Sequence, residues 1–271
     1  MYAAGLSLNS LAPAQLALAG CLTAVHQKAS KSAMFCSANF EKNLLHIMTS
    51  VKKRALFPVQ QHPTLEYEQS LFSQGLALIA GVDEAGRGPL AGPVIAAAVI
   101  LPKEISSELL ENLKNLNDSK KMSLSAREEC FNIITGTPEI VWALGEGSVQ
   151  EIGDLNILRA THLAMRRALL ALKTFPEHAL VDGLPVRDLP VPQTALVGGD
   201  GLSMSIAAAS VVAKVTRDRM MEELHHEFPQ YGFLKHKGYA TAAHLATLRE
   251  YGPCKYHRRG FSPVDQITFS F

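Results

Sequence analysis

Two apolar runs, LALIAGV over 76–82 and VIAAAVIL over 94–101, constrain this chain most. Each is short and uninterrupted, so each reads as a buried strand. Eleven residues, DEAGRGPLAGP, lie between them. Gly86, Gly88, Gly92 and two prolines make that link a loop or a tight hairpin. Two adjacent acids, Asp83 and Glu84, stand at its mouth, and a glycine-flanked Arg87 follows. A fold that buries both runs in one sheet presents those acids at a strand end.

The pattern stays regular from Pro63 onward. Thr64 to Ser73 reads as a short helix. Ser125-x-x-Glu128 is a capping box opening a helix toward Ile134. EIVWAL (139–144), HALVDG (178–183) and ALV (195–197) read as strands. Asp154 is the expected cap of a long helix over 155–173, with Ile157, Thr161, Ala164, Ala168 and Leu172 on one face. Two further helices are expected over 204–228 and 240–250. Strands first, then alternating helices and strands, give a mixed α/β sheet with helices on its faces.

Residues 1–61 differ, holding one acid, Glu41, against six Lys and Arg. Their apolar opening ends in Leu18-Ala19-Gly20-Cys21 but lacks the positive start of an export signal. They are expected to be a poorly ordered extension, or the product of a start assigned too early, with Met34 and Met48 as internal starts. The folded domain is expected over 62–271. A net charge of +1 gives no global basic field, so a nucleic-acid partner has to be read from local patches. The four cysteines are widely spaced, which argues against a zinc ribbon or a disulfide framework and for a reducing, cytoplasmic setting. No run of about 18 uncharged apolar residues is present, so no membrane helix is expected.

Asp83 closes the first strand, Asp182 closes HALVD, and Asp218 sits in the long helix. Strand ends of an open α/β sheet are where such folds place their sites. Carboxylates converging there repel unless cations lie between them, and oxygen ligands suit Mg2+ or Mn2+. Two such ions about 4 Å apart support phosphodiester cleavage. Each acid also has a plainer reading. Asp182-Gly183 is a common turn pair, and Asp218 follows Lys214 at the spacing of a helical ion pair. The glycine loop is not a phosphate-binding P-loop, and Gly145-Glu146-Gly147 lacks the third glycine of a dinucleotide fingerprint.

Six stretches together resemble the bacterial ribonuclease HII family: DEAGRGPLAGP, NDSKKMS with Asp118-Ser119-Lys120, LVDG, AAASVVAKVTRDR, HKGYATAAHL and YHRRGFSPV. The likeness runs from about Pro63 to Val264. The related ribonuclease HIII typically carries Lys at the place of Arg87, and a folded N-terminal platform. The resemblance implies a ribonuclease H-like mixed sheet flanked by helices, with a small helical C-terminal region. It also implies a metal-dependent endonuclease, acting on the RNA strand of RNA–DNA hybrids and nicking 5′ of ribonucleotides embedded in duplex DNA. The ends left are a 3′-hydroxyl and a 5′-phosphate.

Carried over residue by residue, the catalytic, metal-holding carboxylates are Asp83, Glu84, Asp182 and Asp218, on two Mg2+ or Mn2+ ions. Gly86, Arg87 and Gly88 would read the 2′-hydroxyl, the group that separates RNA from DNA. Lys120 would contact phosphate, and Tyr239 would stack on the following deoxyribose. The modestly basic stretch from Lys214 to Arg259, ending in Arg258 and Arg259, would grip backbone phosphates. The enzyme would act as a monomer in ribonucleotide excision repair and DNA replication. The other classes are a binding module that has lost catalysis and a metal-dependent phosphotransferase. All four acids are present against the first, and no phosphate-cradling loop exists for the second. The C-terminal Gln266-Ile267-Thr268-Phe269-Ser270-Phe271 resembles a sliding-clamp docking motif. As an extended segment it would place Ile267, Phe269 and Phe271 on one face, and the same alternation fits an edge strand or a tail packed on the protein's own body.

Overall fold

The two apolar runs pair with each other. β1 (Ile79–Ala85) and β2 (Val94–Ile100) are antiparallel, with Asp83 opposite Ala97. The structure, a computed structural model, describes residues 62–268. β3 (Val141–Gly147) adds antiparallel to β2. β4 (His178–Asp182) adds parallel on the other side of β1, and β5 (Gln193–Leu196) parallel to β4. The sheet order is β3-β2-β1-β4-β5.

Nine helices are described: α1 (Glu66–Ser73), α2 (Ser107–Asn112), α3 (Leu124–Gly136), α4 (Val149–Leu155), α5 (Ile157–Leu170), α6 (Met204–Glu227), α7 (Phe233–His236), α8 (Ala242–Tyr251) and α9 (Ser262–Thr268). α6 and α3 cover one face of the sheet and α5 the other. β2 shows why its sequence is apolar throughout. Ala97 and Val99 point into the core beneath α6, while Ala96, Ala98 and Ile100 point into the core beneath α5. α6 is buried at every residue from Met204 to Ala213, because it crosses the sheet at backbone contact. At Gly81 a Cβ would stand 2.0 Å from the Ser205 carbonyl carbon, so only glycine admits the helix there.

Local signals were misplaced in three segments. Ser123, not Ser125, caps α3, its hydroxyl accepting from Ala126 N–H at 3.2 Å. The capping box forms instead between Ser148 and Glu151, opening α4. The helix expected over 155–173 is two helices broken at Asn156, which has φ 71° and accepts from Arg159 N–H at 3.2 Å. Asparagine tolerates the left-handed region and supplies the cap acceptor, so it ends one helix and starts the next; Asp154 merely lies in α4. The C-terminal segment is helical through Thr268 rather than extended. Ile267 packs against the cluster of Leu90, Tyr231, Phe233, Leu248 and Val264, as the packed-tail alternative expects, though as a helix and not an extended strand. Residues 1–61 and 269–271 lie outside the described residues. Among the described residues no helix is long and apolar enough to cross a membrane.

Candidate active site

Parallel pairing of β1 and β4 aligns Val82 with Val181, which sets Asp83 and Asp182 side by side at the next position. The chain leaves β5 and makes one 3-10 turn, Gly199–Gly201, which carries Asp200. Gly199 N–H donates to Asp182 Oδ1 at 2.7 Å and ties that turn to the end of β4. Asp83, Asp182 and Asp200 each offer a carboxylate oxygen, and these lie within 4.8 Å of one another.

At an effective dielectric of about 20, each like-charged pair at that distance is unfavourable by about 3 kcal/mol. The direction in which the carboxyl pKa values are displaced agrees. Asp83 is held well above the ordinary carboxylate range by burial, then by Glu84 and Asp182. Asp200 is pushed up to about 6 by burial, then by Asp182 and Asp118. Asp83 Oδ2 is buried with no hydrogen-bond partner. Three crowded carboxylates with one buried oxygen left unpartnered and a single lysine at their edge fit a hard divalent cation with oxygen ligands. Glu84 flanks the group. Its carboxylate meets Arg87 Nη1 at 3.1 Å, yet burial outweighs that arginine and leaves its pKa raised.

Asp218 is not in this group. Its Oδ1 accepts from Lys214 Nζ at 2.8 Å, the plain helical pair that the spacing also allowed. The sequence reading missed Asp200, whose place it gave to Asp218. A local signal for it exists: Asp200 stands in Gly198-Gly199-Asp200-Gly201, just beyond the end of β5, where open α/β sheets place their sites.

All five residues expected to read substrate, Gly86, Arg87, Gly88, Lys120 and Tyr239, line one cavity of about 340 Å³, with Glu84, Ser119, Lys214 and Arg217. Burial works against the Lys120 ammonium, but Asp83, Asp200, Asp118 and Asp182 together hold its pKa above the lysine value. One lysine thus faces the whole carboxylate group. Tyr239 is 46% exposed over Gly88, where a Cβ would come within 3.4 Å of its ring.

The loop is held from beneath by two buried arginines. Arg217 donates to the carbonyls of Pro93, Lys237 and Ala91, each at 3.1 Å. Arg258 donates to Gly92 at 2.7 Å, Arg87 at 3.1 Å, Gly86 at 2.6 Å and Pro93 at 3.1 Å. At Gly86, with φ 98°, a Cβ would stand 1.9 Å from Arg217 Nε. Arg258 is therefore a frame for the loop and not the phosphate contact that the basic stretch suggested. Arg259, its neighbour, is exposed.

The sequence profile of the family described as Ribonuclease HII matches residues 80–264. The chain belongs to the ribonuclease HII family. Ribonuclease HII of Pelotomaculum thermopropionicum is 54% identical over 198 residues, 73% of each chain. That of Syntrophotalea carbinolica is 50% identical, covering 77% of this chain and 97% of the relative. Among solved structures, the PCNA:RNase HII complex of Archaeoglobus fulgidus superposes with a TM-score of 0.56 at 27% identity, over 68% of this chain and 95% of that one. Membership makes the protein a ribonuclease of the H2 type, and the matched span contains every carboxylate and loop residue described above.

Proposed function

We propose that this ribonuclease HII is a divalent-metal-dependent endonuclease that cuts the RNA strand of RNA–DNA hybrids and nicks 5′ of a ribonucleotide embedded in duplex DNA. The products are a 3′-hydroxyl and a 5′-phosphate. In this reading it acts as a cytoplasmic monomer in ribonucleotide excision repair. One observation carries the proposal: three carboxylates with an orphaned buried oxygen open beside a cavity lined by a Gly-Arg-Gly backbone.

Asp83, Asp182 and Asp200, with Glu84 at their flank, would hold Mg2+ or Mn2+. Bound there, such ions supply a nucleophilic water at neutral pH and neutralise the charge that develops on the leaving oxygen. Lys120 brings a cation to the same edge for a phosphate oxygen. Arg258 fixes the Gly86 and Arg87 carbonyls, so the peptide planes of the loop are set before substrate arrives. Glycine on both sides lets a sugar approach that backbone, where a 2′-hydroxyl can be recognised. Tyr239 offers an exposed ring for the neighbouring sugar.

The test is a DNA duplex with one internal ribonucleotide, incubated with Mg2+ or Mn2+, the products mapped at nucleotide resolution. A nick on the 5′ side of the ribonucleotide is expected. Absence of cleavage with both metals, or equal cleavage of an all-DNA duplex, overturns the reading.

Docking on a sliding clamp is the finer partner proposal, supported by the Archaeoglobus relative solved with PCNA. Ile267 is packed on the protein itself, so the docking element reduces to Phe269–Phe271, outside the described residues. Deleting 269–271 should remove binding to purified clamp at unchanged melting temperature; unchanged clamp binding rejects it.

A further inference from the structure

A second charged cavity, of about 370 Å³, lies between α5 and the β4–β5 loop. Arg159, Arg166, His162, Arg187 and Asp188 are among its lining residues. Arg159 and Arg166 stand two turns apart on α5, hence on one face, and Arg187 faces them from the loop. All three arginines are exposed. Among the described residues none of their guanidiniums enters an ion pair or a hydrogen bond. The neighbouring Arg167 shows the contrast. It grips Glu151 with two bonds, at 2.8 and 2.7 Å, and the Glu146 carbonyl at 2.7 Å. The fold ties down the arginine that serves its own structure and leaves three others uncommitted around one hollow, against a single acid, Asp188.

The cavity lies near the candidate active site. Arg187 follows Asp182 by five residues, so their Cα atoms are at most about 18 Å apart. His162 also links the two places: its pKa is lowered by burial, then by Arg87 of the active-site loop and by Arg187 of this cavity. Free guanidiniums in an open hollow match phosphate oxygens better than any other common anion of a nuclease substrate. With duplex rising about 3.4 Å per base pair, 18 Å corresponds to roughly five base pairs.

We infer that Arg159, Arg166 and Arg187 form a phosphate track that holds one flanking arm of the duplex, within about five base pairs of the cut. This rests on the endonuclease reading and adds where the substrate lies. The experiment compares wild type with the triple variant Arg159→Gln, Arg166→Gln, Arg187→Gln. A duplex of about 20 base pairs with a central ribonucleotide is bound without divalent cation, and affinity is followed by anisotropy from about 50 to 200 mM salt. The slope of log affinity against log salt should become shallower by about 2–3, near 0.9 for each lost contact. Trimming the duplex to about three base pairs should erase the difference on one side only. Arg187→Gln alone should lower the slope by about 1, which covers a triple variant that melts early. Unchanged slope and affinity in a folded variant overturn the track. Loss of inorganic phosphate binding with duplex binding intact also overturns it, since the hollow is then a small-anion site. If wild type fails to cut the ribonucleotide duplex with Mg2+ or Mn2+, the endonuclease reading itself falls; if it cuts and the variant binds unchanged, only the track falls.

Discussion

Two clusters of buried charge sit close together in this molecule, and they are solved in opposite ways. Asp83, Asp182 and Asp200 crowd within 4.8 Å, and one oxygen of Asp83 has no partner. Arg217 and Arg258 are equally buried, at 1% and 0% exposure, but every bond they make ends on a backbone carbonyl. The anionic group is only partly satisfied by the protein; the cationic pair is satisfied by it. A fold leaves charge uncompensated where something else is to supply the compensation, and pairs it where the charge holds the fold.

That contrast is broken most sharply by activity. Asp182→Asn keeps the shape and removes charge, so cleavage should fall roughly ten-thousandfold, about 5 kcal/mol in the barrier, with substrate binding retained. Asp200→Asn should behave alike, whereas Asp218→Asn should stay within a few-fold of wild type. The reverse ranking, measured as initial rates on a ribonucleotide duplex, would return Asp218 to the metal site.

The satisfied cluster should fail in stability instead. Arg258→Leu strands four carbonyl contacts and should lower unfolding free energy by about 3–4 kcal/mol in urea titrations. A loss below about 1 kcal/mol would show that the loop does not depend on its arginine.

The pH dependence has opposite signs at His257, the buried neighbour of Arg258 in the chain, and at Asp200. His257 is held down to about 4 by burial, then by His244. Between about pH 4 and 6.5 the unfolded chain binds a proton that the native imidazole refuses, so this group makes stability rise with pH. Asp200, pushed up to about 6, does the reverse: the native state binds the extra proton between about pH 4 and 6, and stability falls as pH rises. In EDTA, melting temperature against pH should rise less steeply in His257→Gln and more steeply in Asp200→Asn. The histidine effect is on the order of 3 kcal/mol. Parallel profiles for wild type and both variants would refute the assignment.

The smallest effect is at the cavity rim. Tyr239→Ala should reduce cleavage at a single embedded ribonucleotide about tenfold more than on a continuous hybrid, near 1.4 kcal/mol. Equal losses on both substrates would make Tyr239 a packing residue.

What the sequence by itself determined was the sheet and most of the carboxylates that stand at its edge. The runs at β1 and β2 could only be buried strands, and the acids at the ends of β1 and β4 were legible because a strand boundary is a local property. The glycine-flanked Arg87 was legible for the same reason. The strand end before Asp200 was legible too, but tertiary structure decided that Asp200 and not Asp218 is the third carboxylate of the group. Asp200 and Asp218 are both acids near an apolar stretch, and which one meets Asp83 depends on the β4–β5 register and on one 3-10 turn. It also decided that Arg258 lies under the loop while Arg259 faces solvent, since adjacent arginines look alike until a chain folds over one of them. Local sequence fixes periodicity and boundaries through short-range sterics and hydrogen bonding. Convergence of side chains far apart in the chain is set by packing, and only the folded sheet brings them within a few ångströms.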